Sequence, residues 1–258
     1  MRFDVITLFP ELFQPFLAHG INRRAFESKQ VDVRLWNPRD FAEGNYRRVD
    51  DRPFGGGPGM VMMAEPLWRC LQAIRAERAE PEGQRAPVVL FSPVGERLDH
   101  AGVEAWAAGP RGAVLVCGRY EGIDQRFIDA CVDLQLSLGD FVLSGGEIPA
   151  MALLDAVARL QPGVLGDEGS HHQDSFNPAV DGLLDCPHYT RPEHWAGLLV
   201  PAELLSGHHA RIEAWRRAQR LRLTARQRPE LIAAARAAGR LSARDEALLA
   251  DLERDASG

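Results

Sequence analysis

The stretch Ala113-Val114-Leu115-Val116-Cys117-Gly118-Arg119-Tyr120-Glu121-Gly122 decides the fold class. Its apolar run is short and unbroken, and it ends in a polar, glycine-bounded loop. A strand covered on both faces of a parallel sheet reads this way, without the alternation of a half-exposed strand. Pro87-Val88-Val89-Leu90-Phe91 repeats the pattern and leads into Ser92-Pro93-Val94-Gly95. Phe3 to Leu8 and Val31 to Trp36 predict two further strands. Helical patterns lie between them near residues 64–76, 100–107 and 123–130, and another runs from about Pro149 to Leu160. Phe9-Pro10-Glu11-Leu12-Phe13 opens a helix with proline in its first turn. Strands alternating with helices predict an α/β domain built on a mainly parallel sheet.

The pattern changes after this half. Gly163 through Phe176 is polar, glycine-rich and without periodicity, which suits a linker or mobile loop. From about Pro201 onward the chain is rich in Ala, Leu and Arg at helical spacing, and Pro229 opens a new helix. The expected division is a 1–162 α/β domain, a 163–181 flexible linker and a smaller, all-α 182–258 domain.

Composition bounds the function. The chain has 258 residues, 45% hydrophobic and 26% charged, with formal net charge −6. Apolar content is too high for disorder at that charge. No run of about 18 apolar residues spans a membrane, and the opening Met1-Arg2-Phe3-Asp4-Val5 offers no signal-peptide core, so a cytoplasmic protein is expected. Cys70, Cys117, Cys131 and Cys186 form no C-x-x-C pair and are expected to be reduced. Lys29 is the single lysine, so 29 of 30 basic residues are arginine, the better fork for phosphate and the better stacking partner for bases. Arg211 to Arg244 holds ten arginines against Glu213 and Glu230, a local +8. Such a segment is either a solvated helix face or the footprint of a polyanion.

Several loops could carry chemistry. Gly55-Gly56-Gly57-Pro58-Gly59-Met60 lacks the Lys-Ser/Thr of a phosphate-binding loop, and the dinucleotide G-x-G-x-x-G register fails. The preceding residues 45–52 mix charge with Tyr46, as an RNA-facing flap or a surface turn does. The loops 92–95, 118–122 and 138–147 follow strands, where open α/β sheets bind ligands, and their glycines admit close backbone approach. Asp174, Asp181 and Asp185 lie near the linker, and Arg159 ends an apolar helix. The His171-His172 and His208-His209 pairs lack metal-ligand spacing, so no metal ligands are assigned. No G-x-S-x-G elbow or H-R-D loop appears, which disfavours hydrolase and kinase readings.

Taken in order, these residues resemble the bacterial tRNA (guanine-N1-)-methyltransferase family, a member of the SPOUT class of S-adenosylmethionine enzymes. The resemblance rests on Thr7–Glu11, Phe54–Met60, Cys117–Asp124, Gly139–Glu147, Asp155–Arg159 and Asp174–Phe176. It continues through Asp181–Pro192, Ser206–His209 and Trp215-Arg216. It implies a SPOUT-type parallel sheet with a deep trefoil knot formed around Ser92–Gly95, Gly118–Glu121 and Leu138–Gly146. It also implies a homodimer whose active site is shared across the interface, and a C-terminal domain that helps grip tRNA.

By the same resemblance the co-substrate S-adenosyl-L-methionine is held by Phe91, Pro93, Gly118, Tyr120, Glu121, Leu138, Gly139, Asp140, Phe141, Val142, Leu143, Gly145, Gly146 and Pro149. Glu121 falls near its methionine end. Asp174 matches the general base and Arg159 the residue that orients the target guanine. Asp50, Gly59, Arg159, Asp181, Ser206, His208 and Arg216 match positions that touch tRNA. The target is N1 of guanosine at tRNA position 37, next to the anticodon. A magnesium (Mg2+) dependence is implied, with no ligands identified. Asn177-Pro178-Ala179-Val180 makes the stretch before Asp181 longer than the family form, so the match of Asp181 is looser than that of Asp174.

Overall fold

The computed structural model describes residues 1–81, 83–166 and 170–255. The chain divides into two compact units, Met1–Gly166 and Asp167–Gly258. The residues expected as a linker therefore fall on both sides of this division.

The first unit contains β1 (Arg2–Ile6), α1 (Phe13–Ala18), α2 (Arg23–Glu27), β2 (Asp32–Trp36), β3 (Asp50–Asp51) and β4 (Val61–Met62). It continues with α3 (Ala64–Arg78), β5 (Val88–Arg97), α4 (His100–Ala108), β6 (Gly112–Val116), α5 (Gln125–Cys131), β7 (Leu134–Ser137) and α6 (Glu147–Arg159). β2-β1-β6-β5-β7 form one parallel sheet, and β3-β4 a separate antiparallel ribbon.

Successive side chains of a strand face opposite ways, and here both faces are covered. Phe3, Val5, Ala113, Leu115, Val89 and Phe91 join a core with Phe13 of α1, Ala25 of α2, Val103 of α4 and Leu153 of α6. Ile6, Val114, Val116, Val88 and Leu90 join a second core with Leu67, Leu71 and Ile74 of α3 and Phe127 of α5. The apolar runs read from the sequence are thus continuous because neither face meets water.

Two elements depart from the sequence reading. β7 adds an edge strand that its Leu-Gln-Leu-Ser composition did not mark. β5 extends beyond Phe91: Phe91 and Glu96 both pair with Leu136, so Ser92 to Gly95 bulge out within the strand rather than following it.

A buried carboxylate sits inside this sandwich. Asp4 is fully buried on β1. Arg78 reaches it from the end of α3 at 2.6 Å, Arg2 at 2.7 Å, and Trp36 Nε1 donates at 2.8 Å. Arg78 also donates to the Arg2 and Arg111 carbonyls, which ties α3 to the amino-terminal ends of β1 and β6. Removing one partner of a buried ion pair leaves an uncompensated charge. Arg78→Leu should cost about 3 kcal/mol in urea denaturation, and the Asp4→Leu, Arg78→Leu double variant should recover part of it.

The second unit is not all-α. It holds 3-10 turns at Ser170–Gln173 and Pro178–Val180, then a hairpin of β8 (His194–Trp195) and β9 (Leu198–Leu199). Ala196 and Gly197 both have positive φ, 51° and 83°, as a two-residue type I′ hairpin requires. Strands of two residues are too short to show alternation, which is why the sequence did not announce them. Four helices follow, α7 (Ala202–Leu205), α8 (His209–Gln227), α9 (Pro229–Ala237) and α10 (Ala243–Asp255). Leu183, Leu221, Ile232, Ala235 and Leu249 form their core. Among the described residues, no helix is long and apolar enough to cross a membrane.

Ion pairs organise this unit. Ser242 and Asp245 exchange hydrogen bonds as a capping box at the start of α10. Asp245 also takes a two-pronged contact from Arg217 of α8 at 3.0 and 3.1 Å, and Arg217 holds Asp181 at 2.6 Å. Burial works to raise the Asp245 pKa, but the bonds from Arg217 and Ser242 outweigh it and hold it at about 2. A depressed carboxylate pKa stabilises the fold above the unfolded value of about 3.9, and that contribution is lost as pH falls through the folded value. Asp245→Asn should therefore cost about 2 kcal/mol at neutral pH. Denaturation followed from pH 5 to pH 2 should show a smaller acid-dependent loss in the variant than in the parent.

Candidate active site

The middle of β5 and the carboxyl ends of β6 and β7 surround a cavity of about 250 Å³. Its walls come from the Ser92–Pro93 bulge, the 118–122 loop and the 138–146 loop. Leu90, Ile123 and Leu136 give it an apolar floor, and polar side chains such as Ser92, Arg119 and Glu121 line it beside the glycines of the loops. A concave apolar site with few convergent polar groups suits a small organic ligand better than an ion.

Close backbone contact builds these walls. A Cβ on Gly95 would lie 2.5 Å from the Leu136 nitrogen, and one on Gly146 would lie 2.7 Å from Cys117 Cα. The Gly146 amide instead donates to the Gly118 carbonyl at 3.0 Å. Ser137 Oγ accepts from the Gly139 amide at 3.1 Å, and the Phe141 amide donates to the Gly139 carbonyl at 2.9 Å, which curls the 138–141 turn. Tyr120 is held at φ 60°, in the left-handed region that non-glycine residues rarely adopt. Burial pushes the Cys117 thiol well above its ordinary pKa, and the charge of Glu147 adds to this while Arg119 opposes it. That cysteine is an inert packing residue.

The structure brings together Phe91, Pro93, Gly118, Tyr120, Glu121, Leu138, Gly139, Phe141, Val142, Leu143, Gly145, Gly146 and Pro149 around this one cavity. Asp140 is not among its walls; its exposed carboxylate lies 3.3 Å from Arg97. Arg119, Ser92, Ser137 and Ser144 also line the cavity, though the sequence reading did not single them out. For Ser92, Arg119 and Ser144 the position within the same three loops was the available signal, and Ser137 ends β7 just before the third.

The glycine loop 55–59 is anchored to this cavity wall. Glu121 N donates to the Met60 carbonyl at 3.0 Å, and Met62 N to the Gly122 carbonyl at 2.9 Å. A Cβ on Gly59 would fall 2.4 Å from Glu121 Oε1, so Gly59 lets that carboxylate pack against the loop. Asp50 sits in β3, paired across the ribbon with Met62.

The remaining candidates lie elsewhere. Arg159 is the half-buried last residue of α6, outside the cavity walls. Asp174 is half-buried in the second unit, where its amide donates to the His171 carbonyl at 3.3 Å. Asp181 is engaged by Arg217, as described. Asp185 accepts from the Cys186 amide at 2.6 Å and contacts His188 at 2.8 Å. Burial works to raise its pKa, and these bonds bring it below its ordinary value. Ser206 Oγ donates to the Glu203 carbonyl at 2.7 Å and accepts from the His208 amide, shaping the turn into α8. Arg216 is paired with Glu213 one turn away.

These ion pairs alter the electrostatic picture. Arg216, Arg217, Arg220, Arg228 and Arg236, half of the ten counted arginines, already contact carboxylates. Residues 167–258 hold 12 arginines against 14 acidic residues, so the local +8 does not make the unit basic.

The magnesium dependence implied by resemblance finds no matching site. No group of three or more His, Cys, Asp or Glu placed to hold a metal ion occurs among the described residues.

A doubly covered parallel sheet with a ligand cavity beyond its strand ends defines the α/β class whose members bind small organic ligands there. Comparison with known proteins narrows this. The model of the family described as tRNA (Guanine-1)-methyltransferase TrmD matches residues 1–234. A "tRNA (guanine-N(1)-)-methyltransferase" of Paracidovorax citrulli (strain AAC00-1) is 76% identical over 252 residues, 98% of each chain. Proteins of the same name are 75% identical in Polaromonas sp. (98% of this chain, 97% of that one) and 59% identical in Bordetella pertussis (98% of each). The chain belongs to this methyltransferase family.

The cavity walls generate a direct expectation. Gly146→Ala should cost about 1–3 kcal/mol in chemical denaturation, because a methyl there meets Cys117 backbone rather than a movable side chain. Gly163→Ala, at an open position with nothing within 4 Å, tests backbone strain alone and should cost less.

Proposed function

We propose that the chain transfers a methyl group from S-adenosyl-L-methionine to N1 of guanosine at tRNA position 37. The observation that carries this reading is the family match along residues 1–234, joined to a cavity of organic-ligand character in the same region. The donor occupies the cavity, with the 118–122 and 138–146 loops presenting backbone groups to its adenine. Its sulfonium supplies an activated methyl, so the protein's work is orientation and proton transfer. The methyl carbon–sulfur bond breaks as the bond to guanine N1 forms. Asp174 accepts the N1 proton, and Arg159 orients the base and offsets charge at O6.

The same reading includes the finer architecture of the family. The segments 92–95, 118–121 and 138–146 thread as a trefoil knot, and two chains share each active site across their interface. Exposed apolar residues at the cavity, Phe141 at 56% and Val142 at 84%, suit a face that a second chain covers. The second unit grips tRNA with its exposed basic side chains, among them Arg222 and Arg226 of α8. Substrate tRNA places the protein in the cytoplasm.

Labelled methyl transfer to an unmodified tRNA transcript tests the reading. The transcript carries guanosine immediately 3′ of the anticodon, and a control replaces that base. Label should enter the first RNA alone and map to N1. Asp174→Ala should lower turnover by roughly two to four orders of magnitude while donor affinity is kept. Label in both RNAs contradicts the target position, and near-normal turnover in the variant contradicts the assignment of Asp174.

A further inference from the structure

A buried polar chain at the cavity wall is left unexplained by proton transfer. Glu147, the first residue of α6, is 1% exposed. Its Oε1 accepts from Thr7 Oγ1 at 2.9 Å, and Thr7 Oγ1 accepts from the Phe9 amide at 3.0 Å. Its Oε2 lies 2.9 Å from Arg119 Nε. Neither atom has a hydrogen bond of good alignment, so charge holds this side of the contact. Arg119 Nη1 donates to the Ser144 carbonyl at 3.2 Å, and its guanidinium covers the Phe9 ring at 4.5 Å. The carboxyl end of β1, the loop after β6 and the loop before α6 thus meet on one carboxylate.

The local sequence is shaped around this contact. A Cβ on Gly145 would fall 2.3 Å from Arg119 Nε and 2.6 Å from Glu147 Oε2, so any side chain there would push the pair apart. The N-terminus of α6 favours a negative charge, which offsets part of the cost of burying one. An apolar residue would fill the same volume but would leave Arg119 without its anchor.

We propose that Glu147 is a positioning residue that acts through Arg119. The pair latches the 118–122 loop to the 138–146 loop and keeps the cavity in its donor-accepting shape. This rests on the reading of the cavity as the methyl-donor site. If the loops separate without the latch, only the closed fraction binds donor. Apparent affinity then falls by that fraction, while turnover at saturating donor is kept.

The test uses Glu147→Gln and Arg119→Met, singly and together, in the full chain. Hydrogen exchange of the ligand-free protein should speed up in both loops in each variant, the Gly146 amide included. The dissociation constant for S-adenosylhomocysteine and the donor KM should rise about tenfold or more, with kcat at saturation within about threefold of the parent. The double variant should be no weaker than the weaker single one, because both remove the same contact. Unchanged exchange in the loops, an affinity within about twofold of the parent, or multiplying effects would each overturn the proposal. Should Glu147→Gln not fold, Thr7→Val removes the Oε1 bond and should give the same pattern at smaller amplitude. A parent protein that binds no S-adenosylhomocysteine would defeat the donor-site reading, and the exchange data would still decide whether the latch couples the loops.

Discussion

The first unit depends on backbone meeting backbone at distances that no Cβ tolerates. Gly112 lets β6 start against β1, where a Cβ would sit 1.9 Å from the Arg2 carbonyl oxygen. Gly95 lets the β5 bulge return against β7, and Gly146 lets the last loop lie on Cys117. Packed interiors do not deform to make room, so these contacts set where the loops can go. The cavity is what remains between loops brought that close. Its apolar floor is the top of the sheet core, and its rim is made by the surrounding loops.

Much of the fold was legible because burial on both faces writes itself as unbroken apolar runs. The runs at Phe3, Val31, Pro87 and Ala113 all became strands of one sheet, and the intervening amphipathic patterns became α3, α4 and α5. β7 stayed hidden because Gln135 interrupts a strand of four residues. The β8-β9 hairpin was too short for any period, and its turn places an alanine at positive φ, which sequence does not advertise. The 118–122 and 138–147 loops could be located from their place after strands, whereas residues 92–95 turned out to be a bulge inside β5. The ligand of these loops was not legible, since glycine spacing alone names no chemistry, and the family resemblance supplied it.

The ion pairs were the least legible feature. Asp4 is one acid in an apolar run, and nothing in the first strand says that Arg78, more than seventy residues on, will neutralise it. The arginine-rich segment shows the same limit from the other side. Its local +8 counted only neighbours in sequence, whereas Asp181, Asp185, Asp245 and Glu246 reach it through the fold. Charge close in sequence is therefore a poor guide to charge presented to a polyanion.

The central claim is that the cavity walled by the 118–122 and 138–146 loops is where the methyl donor sits. Titration of isotope-labelled protein with S-adenosylhomocysteine, followed through backbone amide shifts, tests it most directly. The account predicts that the largest saturable changes fall on those two loops and on Phe91, Ser92 and Val94 at the bulge. Changes concentrated in the second unit, or none at concentrations that support methyl transfer, would contradict it.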